Sequence, residues 1–304
     1  MLILAALAMA AQAAASGVAP GALDPEMEAL MKRRDEKRQQ TGETELMQKR
    51  DSQALATVIP PAIADRLAAC LAKANLTPED GLAEAAAWAK DGGGAYAIQC
   101  KGYALGSEKR WREAAAAFES GAVVTGLEPV MQARLWSQAG NAALAGGDAQ
   151  RAVSDLDRAL EKPLPATLST GEIHLDRARA RVAINNLQGA RSDLNQALVL
   201  ANADPLAWLL SATLARRMND LPLASLHIEE ASKRARNDAP IALEQGVIYA
   251  LSGNRDPAAR AAFERAIELA PASESAAKAK AYLAQLGQAS DAPATAPKPV
   301  QTVR

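Results

Sequence analysis

The sequence offers few side chains that could do chemistry. It has two histidines, His174 and His227, and two cysteines, Cys70 and Cys100. A zinc site needs three or four such ligands close together, and neither histidine has a second type of ligand placed to join it. The Walker, HExxH, CxxC and GxSxG signatures of phosphate, metal, redox and hydrolase sites are all missing from the sequence. We therefore expect a non-enzymatic protein with no catalytic residue, metal or cofactor.

A repeat of about 34 residues organises the chain. In the segment 133–166, a large residue stands at position 4 (Trp136), a small one at position 8 (Gly140) and a Gly-Gly turn at positions 14 and 15. Apolar and small residues recur at three- and four-residue spacing in each half, which predicts two amphipathic helices. Asp148 follows the turn and is predicted to cap the second helix.

Five segments share this register: 95–128, 133–166, 171–204, 205–238 and 239–272. Positions 8, 20 and 27 hold glycine or alanine in every segment, and position 24 holds a large apolar residue. Two helices can cross closely where both carry small side chains, and the large residue fills the space beside the crossing. The pattern predicts an all-α fold of helix-turn-helix repeats.

Two further elements are predicted at the ends of the array. The pair 61–94 has the length of a repeat, but Asp80 and Glu84 occupy positions 20 and 24. Such departures are typical of a terminal repeat, because one of its faces meets water. Residues 273–287 are predicted to form a capping helix, so that the array spans 60–287.

The 34-residue unit resembles the tetratricopeptide repeat (TPR). This resemblance implies a right-handed α-solenoid in which the first helices of the repeats line a concave groove. Cys70, the turn 91–94, Cys100 and the Trp-Arg-Glu-Ala run that starts at Trp111 resemble exported repeat proteins of Ala-rich alphaproteobacteria. That second resemblance implies an envelope location and no particular reaction.

The TPR resemblance also implies which side chains face a partner, namely positions 2, 5, 9, 12 and 13 of each first helix. The partner-binding candidates at these positions are Tyr96, Tyr103, Arg134, Asn141, Leu175, Arg179, Leu206, Leu209 and Arg216. The leucines would supply apolar anchors, and the guanidinium groups favour an acidic partner segment. The alternative is that the arginines lie on a solvated face. The Lys/Asn/Arg clamp of cochaperone members is not reproduced, because position 5 carries no lysine.

The two cysteines suit one disulfide if the protein is exported. Cys70 falls on the first helix of the terminal pair and Cys100 on the first helix of the next repeat. First helices of neighbouring repeats run side by side, so the Cα atoms could approach to the roughly 7 Å that a disulfide allows. The alternative is two buried, reduced cysteines that act as small apolar residues.

The termini differ in composition from the array. Residues 1–15 are an apolar run that ends in small residues, as a signal peptide does, although no lysine or arginine precedes the run. The alternative is an Ala-rich helix of a cytoplasmic protein. We expect a charged flexible or helical spacer over 16–59 and a disordered, Pro-rich tail over 288–304. A retained membrane span is not expected, because a span needs about 20 apolar residues.

Composition limits the class of partner. The formal net charge is −1, so the chain has no basic field to attract nucleic acid. We expect a periplasmic, non-enzymatic scaffold that binds a peptide or helix of another protein in its groove. One alternative is a self-associating structural or cell-division coordinator, and a second is an accessory subunit of a wall-remodelling enzyme.

Overall fold

The structure, a computed structural model, describes residues 59–164, 170–200, 202–253 and 256–290. The predicted signal peptide (1–15) and the spacer up to residue 58 lie outside these ranges, and so does the tail from residue 291. The described residues fall into two compact units that divide after Leu214.

Helices account for nearly all of the described residues, and no strand occurs among them. The first unit contains α1 (Pro61–Leu76), α2 (Pro78–Lys90), α3 (Gly94–Ser107), α4 (Trp111–Ala122), α5 (Pro129–Ala145), α6 (Ala149–Leu160), α7 (Thr170–Ala183), α8 (Leu187–Leu200) and most of α9 (Pro205–Arg217). The second unit contains the end of α9, α10 (Leu221–Arg234), α11 (Ala239–Leu251), α12 (Asp256–Leu269) and α13 (Glu274–Ser290).

Within each unit the helices pack in consecutive pairs. In the first unit, α3 packs on α4, α5 on α6 and α7 on α8, while α4 contacts α5 and α6 contacts α7. In the second unit, α11 packs on α12 and α13. The predicted all-α fold of paired helices is confirmed.

One residue in each interhelix turn adopts a left-handed backbone conformation. These residues stand at position 15 of the five repeats: Lys109, Gly147, Asn185, Asn219 and Gly253, with φ between 59° and 76°. Glycine and asparagine tolerate this conformation, whereas a Cβ atom normally disfavours it. In the second repeat the next residue, Asp148, caps α6 as predicted, because its side chain accepts a hydrogen bond from the Arg151 backbone N–H at 3.2 Å.

Small residues at position 8 allow the two helices of a repeat to meet. A Cβ atom added to Gly102 would lie 2.6 Å from Phe118, and one added to Gly140 would lie 2.6 Å from Leu156. Gly246 contacts Phe263 in the same way in the second unit. The large residue at position 24 therefore fills the volume that position 8 leaves empty, as the sequence pattern predicts.

The terminal pair is joined to the next repeat by a disulfide between Cys70 and Cys100, as predicted. Their Cα atoms lie 6.1 Å apart, and both residues are fully buried. Trp88 and Leu67 pack in the same cluster. The disulfide therefore links α1 to α3 through the interior of the first unit.

The last helix is longer than the sequence predicts. Helix α13 ends at Ser290, three residues into the segment predicted to be disordered from residue 288. Its inner side is formed by Ala276, Ala279 and Leu286, which are all buried. A small-residue stripe thus packs this helix against α11 and α12.

Candidate functional site

Neighbouring stripes of side chains on α3 and α5 form the best-exposed part of the predicted groove. Tyr96, Gln99 and Tyr103 follow one another at spacings of three and four residues, so they share one side of α3. Gln99 Nε2 donates a hydrogen bond to Gln138 Oε1 at 3.0 Å, which places the corresponding side of α5 alongside. On that side of α5 lie Arg134 and Asn141. We call Tyr96, Tyr103, Arg134 and Asn141 the α3–α5 face.

The four side chains of the α3–α5 face differ in exposure. Tyr103 is 36% exposed and Asn141 is exposed, whereas Tyr96 and Arg134 are partly buried. Burial raises the pKa of Tyr96, and the negative charge of Glu128 raises it further. Tyr96 thus keeps its proton throughout the physiological range and can donate a hydrogen bond from its hydroxyl group.

The residue types on this face suit an extended protein segment. A tyrosine ring offers apolar surface together with a polar hydroxyl group, and an asparagine amide can both donate to and accept from a peptide group. Tyr96 and Tyr103 are seven residues apart, as are Arg134 and Asn141, and seven residues of helix rise about 10 Å. Three residues of extended chain span a similar distance, at about 3.3 Å each. An extended segment that lies along either helix would therefore contact both side chains of that helix with residues three positions apart.

The amide of Gln99 carries an unpaired group between the two tyrosines. Gln99 is fully buried, and its Oε1 atom has no hydrogen-bond partner among the described residues. A buried acceptor left without a partner costs about 1–3 kcal/mol. Such a group is therefore an unusual feature beneath the α3–α5 face.

Comparison with solved structures identifies the fold. No protein-family model matches the sequence, and no curated protein matches it. The TPR protein YrrB, whose structure is described as having an unusual peptide-binding site, is 19% identical over 64% of this chain and 96% of its own, with a TM-score of 0.51. The chain has the TPR fold.

Two further TPR-fold neighbours cover more of this chain. PilW, described as a widely conserved type IV pilus biogenesis factor, is 15% identical over 74% of this chain and all of its own, with a TM-score of 0.59. PilF of Pseudomonas aeruginosa is 14% identical over 74% of this chain and 99% of its own, with a TM-score of 0.56. At these identities the likeness concerns the fold alone.

The leucines predicted to anchor a partner on the TPR array lie in the interior instead. Leu175 exposes no surface, and Leu206 and Leu209 expose 7% and 3% of theirs. Leu175 and Leu209 stand at position 5, which is also buried in the two preceding repeats, at Gln99 and Ser137. In this TPR array, position 5 therefore faces neighbouring helices in four successive repeats.

Two of the predicted TPR groove arginines are bonded to carboxylates of the same chain. Arg179 Nη1 donates to Asp176 Oδ1 at 2.9 Å, and both side chains are largely buried. In the second unit, Arg216 Nε donates to Glu244 Oε1 at 2.6 Å, with 6% and 7% of the two side chains exposed. These ion pairs neutralise the charges that the sequence analysis assigned to an acidic partner.

The sequence analysis missed a charge cluster at position 23 of the third repeat. Asp193 is buried, and it accepts hydrogen bonds from Arg177 at 2.5 Å and from Arg181 at 2.8 Å. His174 Nδ1 also lies 2.9 Å from it. Burial opposes ionisation of Asp193, but these donors outweigh burial and lower its pKa. The available signal was the spacing of His174, Arg177 and Arg181, which places three potential cations on one side of α7.

The sequence analysis expected neither a metal site nor a retained membrane span. Within the described ranges, no three His, Cys, Asp or Glu side chains are grouped in a way that could hold a metal ion. Among the same residues, none of the helices combines the length and hydropathy needed to cross a bilayer. His174 lies in the Asp193 cluster, and His227 is 7% exposed.

Proposed function

We propose that this protein is a non-enzymatic interaction scaffold and that it binds an extended segment of another protein on the α3–α5 face. The observation that carries the proposal is the Gln99–Gln138 hydrogen bond, which aligns a stripe of α3 that exposes Tyr103 with a stripe of α5 that exposes Asn141. Binding is stoichiometric, and no chemical step is assigned to the protein.

The α3–α5 face favours recognition of main-chain groups over recognition of charge. Tyr103 and Asn141 are its most exposed members, and neither belongs to the charged residue types. Arg134 is the one cation of the face and is partly buried. The segment bound here should therefore present backbone amides and apolar side chains.

The compared structures are compatible with this function. YrrB is described as carrying a peptide-binding site, and PilW as a factor of pilus biogenesis. Both share only the fold with this chain, and one fold can host many different roles. The specific proposal therefore depends on the residues of the α3–α5 face.

We also propose that the protein works in the periplasm. The composition of residues 1–15 supports export, and the buried Cys70–Cys100 disulfide supports an oxidising compartment. Disulfides of this kind are rare in the cytoplasm of mesophilic cells, where thiols are kept reduced. The partner would then be another envelope protein.

Selection from a phage-displayed library of random peptides tests the binding proposal. The full chain is used as bait, and selected peptides are synthesised and titrated by fluorescence anisotropy. We expect the double variant Tyr103→Ala/Asn141→Ala to weaken binding at least about fivefold, because one aromatic contact and one amide pair are worth about 1–3 kcal/mol together. Its melting temperature should stay within a few degrees of the wild type, since both side chains are exposed.

Lys101→Ala supplies the matched control. Lys101 is also exposed and lies on α3, but its charge acts on Glu113 of α4 and not on the α3–α5 face. The control variant should bind as the wild type does. Peptides that bind the double variant with undiminished affinity, or a library that yields no binder, would refute the assignment.

A further inference from the structure

A second buried carboxylate, Asp155, occupies in the second repeat the position that Asp193 occupies in the third. Both residues stand at position 23, and both are almost fully buried, with 2% and 1% of the residue exposed. The residues that bond Asp193 are at positions 4, 7 and 11, where the second repeat has Trp136, Ala139 and Ala143. The same carboxylate position therefore has cationic donors in one repeat and none at those positions in the other.

The surroundings of Asp155 leave its charge poorly compensated. Its Oδ2 atom has no hydrogen-bond partner among the described residues, and its Oδ1 atom lies 3.9 Å from Nη1 of Arg158. That guanidinium is half exposed and lies over the ring of Trp136, 4.5 Å from the ring centroid. Arg158 is thus an incomplete counter-ion.

A second acid comes from the preceding repeat. Glu119 of α4 is held against the same side of α6 as Asp155, because Arg151 Nε donates to Glu119 Oε1 at 2.6 Å and Arg151 and Asp155 are four residues apart on α6. The hydrogen bond of Arg151 goes to Glu119, so Arg151 compensates the charge of Asp155 only in part and without a hydrogen bond to it. Two carboxyl groups this close favour a state in which they share one proton.

Among the residues that the structure describes, the cations whose charges act on Asp155 come from its own helix, α6. Helix α5 contributes Trp136, and α6 contributes Arg151 and Arg158. Helix α7 carries Arg177 and Arg181, which bond Asp157 and Asp193. Burial, followed by the charge of Glu119, raises the pKa of Asp155 to about 7.

We propose that Glu119 and Asp155 form a contact between the first and second repeats that depends on the protonation of Asp155, and we call this contact the joint. When Asp155 holds its proton, it donates a hydrogen bond to the ionised Glu119, and α4 and α6 are held together. When Asp155 loses the proton, two adjacent carboxylates repel each other in a largely buried site. The joint is then weakened.

The direction of the pH effect follows from proton binding. An unfolded aspartate has a pKa near 3.9, so between about pH 4 and pH 7 the folded protein keeps a proton that the unfolded chain releases. Stability contributed by the joint is therefore fully present below pH 4 and is lost as the pH rises through 7. One proton changes the unfolding equilibrium constant by at most about tenfold per pH unit.

Chemical denaturation of the full chain between pH 5 and pH 8.5 tests the joint. The wild-type unfolding constant should rise about tenfold per unit to near pH 7 and then level off. Asp155→Asn should remove this slope, because an amide donates to Glu119 without titrating. At pH 8.5 the variant should be more stable than the wild type, and α4 and α6 should exchange their amide hydrogens more slowly.

Asp193→Asn is the matched control, since it changes the same repeat position in a fully compensated cluster. It should be less stable than the wild type throughout the range, because Arg177 and Arg181 lose their shared carboxylate, but it should keep the wild-type slope. Glu119→Gln provides a second test that does not alter Asp155, and it should move the midpoint of the slope to lower pH. A flat wild-type profile, or an Asp155→Asn profile with the wild-type slope, would overturn the proposal.

Discussion

Lys109 has a backbone conformation that its side chain disfavours. Its φ of 60° matches that of Asn185 and Asn219 at the equivalent turns, while two other repeats have glycine there. A left-handed conformation costs an ordinary L-residue about 1–2 kcal/mol. The turn geometry is thus imposed by the packing of α3 on α4 and not by the local preference of this residue.

Replacing Lys109 should therefore stabilise the first unit. We expect Lys109→Gly to raise the free energy of unfolding by about 0.5–1 kcal/mol, since the removed strain exceeds the added backbone entropy of glycine. Urea denaturation measures the change. Gly147→Ala, at the equivalent turn of the next repeat, should lower stability by about 1 kcal/mol. A loss of stability in Lys109→Gly would show that the lysine side chain contributes more than its strain costs.

At the scale of the helix pair, the side chains at positions 8 and 24 together fill the space between the two helices of a repeat. Glycine at position 8 accompanies phenylalanine at position 24 in Gly102–Phe118 and Gly246–Phe263. In the third repeat, Ala178 accompanies Leu194, and both are fully buried. Phenylalanine at position 24 thus occurs with glycine at position 8, whereas leucine occurs with glycine in the second repeat and with alanine in the third.

This relation predicts a non-additive pair of substitutions. Gly102→Ala should destabilise the protein by about 1–3 kcal/mol through overpacking, and Phe118→Leu by on the order of 1 kcal/mol through a cavity. The double variant should lose less than the sum, because the added methyl group fills part of the cavity. Thermal and urea unfolding of the four proteins gives the coupling energy.

Gly106→Ala on the same helix is the control for the glycine substitution. A Cβ atom there would lie 3.6 Å from Trp111, which is ordinary contact. This variant should gain about 0.5–1 kcal/mol, as expected when alanine replaces glycine within a helix. Additive losses in the double variant would mean that positions 8 and 24 pack independently.

The helix pairs could be predicted because small residues recur at fixed positions, whereas the exposure of groove positions could not. Position 5 was assigned to a partner, yet Gln99, Ser137, Leu175 and Leu209 are all buried there. Periodicity defines the side of a helix on which a residue lies, but the closeness of the neighbouring helix decides whether that side is accessible. Arg179 likewise lies on the predicted side, and its charge is satisfied by Asp176.

The cysteine pair was predictable because it required only the repeat register and the count of cysteines. The difference between Asp155 and Asp193 was not recognised in advance, although both stand at position 23. Their protonation depends on whether positions 4, 7 and 11 of the facing helix supply donors. That contrast appears only when the two helices of one repeat are considered together.

At the scale of the whole molecule, the disulfide should stabilise one part of the chain. Its loop of 30 residues is expected to contribute about 3–4 kcal/mol to the free energy of unfolding. In a repeat array each repeat depends mainly on its neighbours, so the loss on reduction should be confined to α1–α4. Hydrogen exchange with and without dithiothreitol measures it, with unchanged protection expected in the second unit.

The disulfide can also be tested in protein isolated from the envelope fraction of the cells that produce it. Its intact mass should be about two units below that of the reduced chain, because forming one disulfide removes two hydrogen atoms. The Cys70→Ser/Cys100→Ser variant should not respond to reductant. A fully reduced protein recovered only from the cytoplasm would contradict both the disulfide and the proposed location.

The covalent link also changes how the array would carry mechanical load. A pull applied at residue 59 and transmitted along α1 passes at Cys70 directly to Cys100, so the 30-residue loop between them bears no tension. That loop amounts to roughly 100 Å of extended chain, at about 3.3–3.6 Å per residue, which stays folded back until the disulfide is reduced. Under tension from the N-terminal side, the oxidised chain would protect the segment between Cys70 and Cys100, and the force would act on the start of α1 and on the repeats that follow Cys100.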